Sequence, residues 1–327
     1  MKKMKPLFSI IIPHYDIPDL LMRCLKSIPV SEDIQVIVVD DNSPDADTYL
    51  ERYPELSRPY LEFIRTTKGG GAGYARNVGL DHAKGKWLLF ADADDFYVDN
   101  MDKLIHQYVD SKADLVYFMT KSVFSDNINQ PSERYTFNDV YSPYWESHDE
   151  RPARYYHRVP WAKIVRRELV EKYKLLFDEV QYANDFYFSV RLGFYAQQID
   201  IANHILYVVT TRSSSLAYSF CEKPNELSIR ADVHFRVHKF LSDNHIVLDN
   251  MPFDRTFIKI LEKNKKLFNY YFKRRIKELY PSKWHYVRSI TNNYSTKFRI
   301  KFYIYLFLIV CCPFRIIESQ PTKKLSS

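Results

Sequence analysis

Residues 7–12 (LFSIII) form an unbroken apolar run that meets Pro13. A short run of this kind predicts a strand covered on both faces, as in parallel sheets. From Asp19 to Ile28 the apolar residues fall at Leu20, Leu21, Cys24, Leu25 and Ile28, one stripe of a helix stopped by Pro29. Residues 34–39 (IQVIVV) repeat the buried-strand pattern and end in the polar turn Asp40-Asp41-Asn42-Ser43-Pro44. A helix over 46–52, a strand over 60–65, a glycine-rich turn, a helix over 74–83 and a strand over 86–91 complete the first part. This alternation predicts an α/β fold, a mostly parallel sheet flanked by helices on both faces. Such sheets bind ligands beyond the carboxyl ends of their strands. The loops at those ends, 14–16, 40–44 and 92–96, are the acid-rich segments of an otherwise apolar stretch.

Further on, the spacing predicts a helix over 99–112 and a strand over 114–118. Residues 127–158 are polar, aromatic and proline-containing, without periodicity, and predict a long loop or mobile cover. Helices are expected over 161–174 and 182–195, a strand over 199–210, and helices with an increasingly basic face beyond 216. The chain divides on this reading into a domain over 1–250 and a basic, aromatic-rich helical extension over 251–327. No internal repeat is present.

Charge sharpens that division. The net charge of +7 conceals 17 Lys+Arg against 3 Asp+Glu in residues 255–327, a tail of +14 on a body of −7. The tail holds Lys265-Lys266, Lys273-Arg274-Arg275 and Lys297-Phe-Arg-Ile-Lys301, then the 13-residue apolar run 302–314. A spanning helix needs about 20 apolar residues, so a helix in the membrane interface fits better. There Tyr303 and Tyr305 would sit at the boundary and residues 265–315 would face anionic headgroups. A hydrophobic helix packed on the 1–250 domain is the other reading. No nucleic-acid recognition motif accompanies the charge. Four cysteines, Cys24, Cys221, Cys311 and Cys312, give neither a disulfide framework nor zinc spacing. The run 7–12 is too short for a secretory signal core, so a cytoplasmic protein, peripheral on the inner face of the cell membrane, is expected.

Six of the seven glycines lie between Gly69 and Gly85, four of them in Gly69-Gly70-Gly71-Ala72-Gly73. Before a helix, such a run frees amide donors for an anion, unless it is only a flexible turn. No Lys-Ser/Thr pair follows, which excludes an ATPase phosphate loop. Arg76-Asn77 on the first helical turn adds a group able to hold a base or phosphate by two parallel bonds. The segment Asp92-Ala93-Asp94-Asp95 sets three carboxylates at a strand end, and strand alternation points Asp92 and Asp94 to one side. Like-charged carboxylates held together are costly without a cation between them, and Mg2+ or Mn2+ prefers oxygen ligands. Asp40-Asp41 and Asp185 also suit helix capping.

Ser9-Ile-Ile-Ile-Pro-His-Tyr15, Val39-Asp-Asp-Asn-Ser43, Ala75-Arg-Asn-Val-Gly79 and Phe90-Ala-Asp-Ala-Asp-Asp95 resemble, in order and spacing, the signatures of family-two glycosyltransferases. Val159-Pro-Trp-Ala-Lys163, Asn184-Asp185 and Arg212-Ser-Ser-Ser215 resemble later landmarks. The resemblance implies the Rossmann-like GT-A fold and a metal-dependent inverting enzyme. It would move a sugar from a nucleotide-sugar, a UDP-sugar, to an acceptor hydroxyl; the basic tail suggests that this acceptor is a glycan or lipid-linked glycan of surface polysaccharide biosynthesis. By the same resemblance Pro13, Tyr15, Asp41, Arg76 and Asp92 bind the nucleotide. Asp94 and Asp92 hold Mn2+ or Mg2+, Asp95 buttresses them, and Asp185 is the catalytic base. Asn184 stands where the family usually has an acid. Three other readings stay open: a sugar-nucleotide nucleotidyltransferase, a phosphatase with an aspartyl nucleophile, and a non-catalytic membrane-bound scaffold. The first would place its glycine run after strand one, and the second lacks Thr or Val at Phe96.

Overall fold

A computed structural model describes residues 5–212, 224–246, 248, 260 and 263–279. The chain divides into two compact units, Met1–Phe240 and Leu241–Ser327. In the first, strands β1 (Phe8–His14), β2 (Ile34–Asp40), β3 (Leu61–Arg65), β4 (Trp87–Phe90), β5 (Phe96–Tyr97), β6 (Leu115–Phe124), β7 (Lys163–Arg166) and β8 (Ile199–Thr211) form one sheet. Its order is β3-β2-β1-β4-β7-β6-β8-β5. Helices α1 (Pro18–Lys26), α2 (Tyr49–Arg52), α3 (Gly71–His82) and α4 (Met101–His106) belong to the first half. Helices α5 (Ser142–Ser147), α6 (Arg151–Tyr156), α7 (Arg167–Lys172) and α8 (Phe186–Tyr195) belong to the second. Helix α9 (Pro224–Asp243) follows, and α10 (Lys265–Leu279) lies in the second unit.

The alternation of buried residues explains the layers. Phe8, Ile10 and Ile12 of β1 join Val36, Val38 and Leu89 in one core. Ile11, Ile37, Val39, Leu88 and Phe90 face the other. Strands apolar on every position therefore carry helices on both sides. Strand β1 does not stop at Pro13, as its sequence suggests, but runs to His14 opposite Asp40. The Ile11 carbonyl accepts from Ala91, so Pro13, two residues on, points its missing N–H past the last pair with β4 at Ile11 and Phe90.

Four expectations need correction. The predicted helix over 161–174 begins as β7, antiparallel to both β4 and β6, and only α7 is helical. Ala162 precedes this strand at φ 54°, and strand alternation sends Ile164 and Val165 into opposite cores. With β5 antiparallel to β8, six of the eight strands still run one way, so the sheet is mostly parallel as the alternation predicts. Residues 127–158 are not an open loop: they hold α5, α6 and a 3-10 turn at Asn138–Tyr141, and bury Val140, Tyr141 and Ala153 in the core. The strand over 114–118 continues to Phe124, re-registering on β8 through an irregularity at Met119, and the helix over 99–112 shortens to α4.

Among the described residues no helix is long and apolar enough to cross a membrane. The run 302–314, Ser213–Ser215, Cys221, Cys311 and Cys312 lie outside the described residues. Helix α10 buries Phe268, Tyr271 and Phe272 and exposes Lys266, Tyr270, Lys273 and Lys277.

Candidate active site

The site is built where β1, β2 and β4 end. His14 Nδ1 donates to Asp40 Oδ2 at 2.8 Å, and both side chains are wholly buried. The Ile17 amide donates to His14 Nε2, which assigns the ring proton to Nδ1. Ser43 gives Asp40 two further bonds, from its amide to Oδ1 at 2.8 Å and its hydroxyl to Oδ2 at 2.6 Å. Burial works against the Asp40 charge, but the bonds from His14 and Ser43 outweigh it and hold the carboxyl below its usual range. Asp40 thus ties the loops after β1 and β2 together instead of capping a helix.

Asp41 faces the glycine run. Its two oxygens accept from the amides of Gly70 and Gly71, at 2.9 and 2.7 Å. Those donors open α3, where backbone N–H groups lack partners and favour negative charge. The anion for which the glycines free their amides is the Asp41 side chain itself. Gly71 sits at φ 81°, where a side chain would be strained. Pro13 pairs with Val39, and Tyr15, just beyond β1, is exposed.

One and a half turns into α3, the buried Arg76 bridges the two halves of the sheet. Its Nη2 donates to Asp92 Oδ1 at 2.6 Å and its Nη1 to Asn184 Oδ1 at 2.9 Å, with the guanidinium 5.3 Å from the Phe177 ring. Asn184 therefore fills the position of the family's acid as a neutral acceptor for Arg76. Ligand atoms of Asp92, Asp94 and Asp95 lie within 4.8 Å of one another. Strand alternation is not what gathers them, because β4 ends at Phe90; a turn does, with the Asp95 amide donating to the Asp92 carbonyl at 3.0 Å.

Each acid has a different environment. The Asp92 amide, beyond the end of β4, donates to the Tyr207 hydroxyl at 2.8 Å. Burial and the charge of Asp92 raise the Asp94 carboxyl, against Arg212, whose Nη2 lies 3.2 Å from Asp94 Oδ2, and Arg134. Asp95 is fully buried and accepts from the Thr210 amide at 2.6 Å on Oδ1, while Oδ2 has no partner. Burial and then its two acidic neighbours push its carboxyl well above the ordinary range. A divalent cation fits this donor set, since it would relieve both the mutual repulsion and the orphaned oxygen.

Asp185 occupies the N-cap position of α8 yet makes no side-chain capping bond, so capping is not its role here. Burial raises its carboxyl; Arg76 opposes this and Asp92 adds to it. Lys163, buried on β7, bonds the His157 carbonyl at 2.9 Å and feels the Asp185 charge, while burial pulls its ammonium down to about 7. Arg23 reaches in from α1 to the Asp94 carbonyl at 2.6 Å. The sequence reading assigned no role to His14, Arg23, Asn77, Thr210 or Lys163. Of these, His14, Asn77 and Lys163 stood inside quoted motifs, whereas nothing in the sequence marked Arg23 or Thr210.

Residues 9–174 match the profile of Glycosyl transferase family 2. EpsJ, an uncharacterized glycosyltransferase of Bacillus subtilis (strain 168), is 28% identical over 228 residues, covering 65% of this chain and 63% of EpsJ. Glycosyltransferase GlyA of Streptococcus pneumoniae serotype 4 is 26% identical over 226 residues, 66% of this chain and 32% of GlyA. The chain thus spans less than two thirds of the length of these relatives. The crystal structure of Staphylococcus aureus TarS 1–349 in complex with UDP-GlcNAc superposes with a TM-score of 0.66 at 20% identity, over 84% of this chain and 82% of that one. The sheet is accordingly a GT-A fold, and the chain belongs to glycosyl transferase family 2.

Proposed function

We propose that this protein transfers a sugar from a UDP-sugar to a hydroxyl of a glycan or lipid-linked glycan, with inversion, in surface polysaccharide biosynthesis. The observation that carries the reading is the Arg76 bridge, which joins the acidic cluster at Asp92 to the segment that ends in Asp185. The similarity to TarS, seen with UDP-GlcNAc, supports a uridine nucleotide.

Tyr15 stacks on the base, Pro13 lends backbone contacts, and Asp41 accepts from a ring N–H through the lone pairs its glycine bonds leave free. Arg76 and Asp92 meet the ribose and diphosphate. Asp94 and Asp92, with Asp95 behind them, hold Mn2+ or Mg2+. When bound, that ion stabilises negative charge on the departing diphosphate. Asp185 takes the proton of the acceptor hydroxyl as its oxygen attacks the anomeric carbon from the face opposite the leaving group. One such displacement inverts the anomeric configuration.

Incubation with a panel of nucleotide-sugars and Mn2+ tests this directly, because hydrolysis needs no acceptor. Nucleoside diphosphate is the expected product. Pyrophosphate would point to a nucleotidyltransferase, and inorganic phosphate to a phosphatase. A base must be ionised to accept a proton, and the Asp185 carboxyl titrates above the ordinary 3.8. Activity is therefore expected to fall on acidification at a higher pH than an ordinary aspartate would dictate, read from the acid limb of kcat/KM. A limb at or below pH 4 would contradict that environment.

The tail is proposed to hold the protein to an anionic membrane surface, through the exposed lysines of α10 and the apolar run 302–314. The full-length protein is expected to sediment with phosphatidylglycerol vesicles and to be released by salt. A chain ending near residue 295 should be more soluble. Failure of the full-length protein to bind such vesicles would refute membrane attachment.

A further inference from the structure

We propose that Arg236, on α9, is a positioning residue for the transfer reaction: by gripping Asp178 it fixes the turn that delivers Asn184 and Asp185 to the acidic cluster. The inference rests on the reading of Asp185 as the base. Arg236 Nη1 donates to Asp178 Oδ1 at 2.9 Å and Nη2 to Oδ2 at 2.6 Å. Two parallel bonds of this kind fix orientation as well as distance. Asp178 opens a turn that its own amide closes by donating to the Asn184 carbonyl at 2.9 Å. The turn is therefore held at both ends, Asp178 by Arg236 and Asn184 by Arg76.

Its inner side lies against α3 with no slack. A Cβ on Gly73 would stand 2.0 Å from the Asp178 carbonyl oxygen. Asn77 donates to the Phe177 carbonyl at 3.0 Å and accepts from the Phe177 amide at 2.9 Å. The tip residues Glu179 and Gln181, by contrast, are exposed. Helix α9 is itself braced on α8, with the His234 ring 4.9 Å from Phe186 and Phe240 5.1 Å from Phe194. Arg236, 58 residues downstream of Asp178, thus couples α9 through Asp178 to the residue next to the proposed base. The Asp178 side chain is only 13% exposed, so it depends on that partner.

Arg236→Gln and Asp178→Asn, each made in the full-length chain, test the clamp. Without substrate, hydrogen exchange over 177–186 is expected to quicken about tenfold or more in both, with β1 to β4 unchanged. With the donor found in the panel, kcat should fall about ten- to hundredfold, because a small misplacement of a reacting group is costly. The donor KM and the affinity for UDP with Mn2+ should stay within about threefold of the parent. Arg236→Lys should fall between, since an ammonium cannot make the two parallel bonds. If Arg236→Gln unfolds the first unit, Asp178→Asn, which removes the charge and keeps the shape, carries the same comparison. Unchanged exchange over 177–186, or a raised KM with kcat intact, would overturn the proposal. The exchange measurement is independent of turnover, so a native protein that transfers no sugar refutes the functional reading and leaves the clamp to be judged on its own.

Discussion

Asp185→Asn is expected to lower turnover about a hundredfold or more, the range over which a positioned general base acts. The amide keeps the shape of the carboxyl but cannot accept the acceptor's proton. Asp185 makes no capping bond, so the substitution removes no structural contact from α8. Arg76 keeps its bond to the neutral Asn184, while Lys163 loses the charge of Asp185 that it feels. The affinity for UDP with Mn2+, measured by calorimetry, is therefore expected to stay within about threefold of the parent. Near-normal transfer by Asp185→Asn would remove this residue from the chemistry, and equal loss of nucleotide affinity would make it a binding residue instead.

Asp94→Ala should be as damaging and should differ in kind. Asp94 stands between the like charge of Asp92 and the guanidinium of Arg212. With Asp94 gone, Asp92 and the buried Asp95 cannot supply the same set of oxygens to a cation, and Arg212 loses its partner. Turnover is expected to drop about a hundredfold or more, as when a group stabilising transition-state charge is removed. Nucleotide affinity should lose its dependence on Mn2+, which Asp185→Asn leaves intact. Titration of each variant with Mn2+ in the presence of UDP separates the two. An Asp94→Ala protein that still needs the metal would place the ion elsewhere.

The parts of the molecule that could be read ahead of the structure are those whose causes lie close together in the chain. Strands β1, β2 and β4 are short apolar runs bounded by polar turns, and burial on both faces accounts for them. The three acids are neighbours in sequence, so their convergence was foreseeable, although a turn and not a strand brings it about. Strand β7 was hidden because its four residues adjoin Arg167–Lys172, whose composition and spacing favour a helix. Strand β5, with two residues, has no periodicity to detect. The bonds that assemble the site join positions far apart: Arg76 and Asn184 are separated by 108 residues, Arg23 and Asp94 by 71. No spacing rule relates such pairs. Asp41 was expected to accept from a nucleobase; that its two oxygens accept from the amides that open α3 emerges only from the packing.

The antiparallel strand in the middle of the sheet has a consequence for how the chain reaches this state. Strands β3, β2, β1 and β4 come from the first 90 residues, while β6 and β8 pair with each other further on. Only β7 is bonded to both groups, through two register positions on β4 and three on β6. Until β7 docks, each half presents a bare, apolar border with unpaired backbone groups, the kind of surface that recruits other chains. The seam is thus the place where assembly of the monomer and aggregation compete, and substitutions at Ile164 or Val165 should reduce the yield of refolding more than they change the activity of the molecules that complete it.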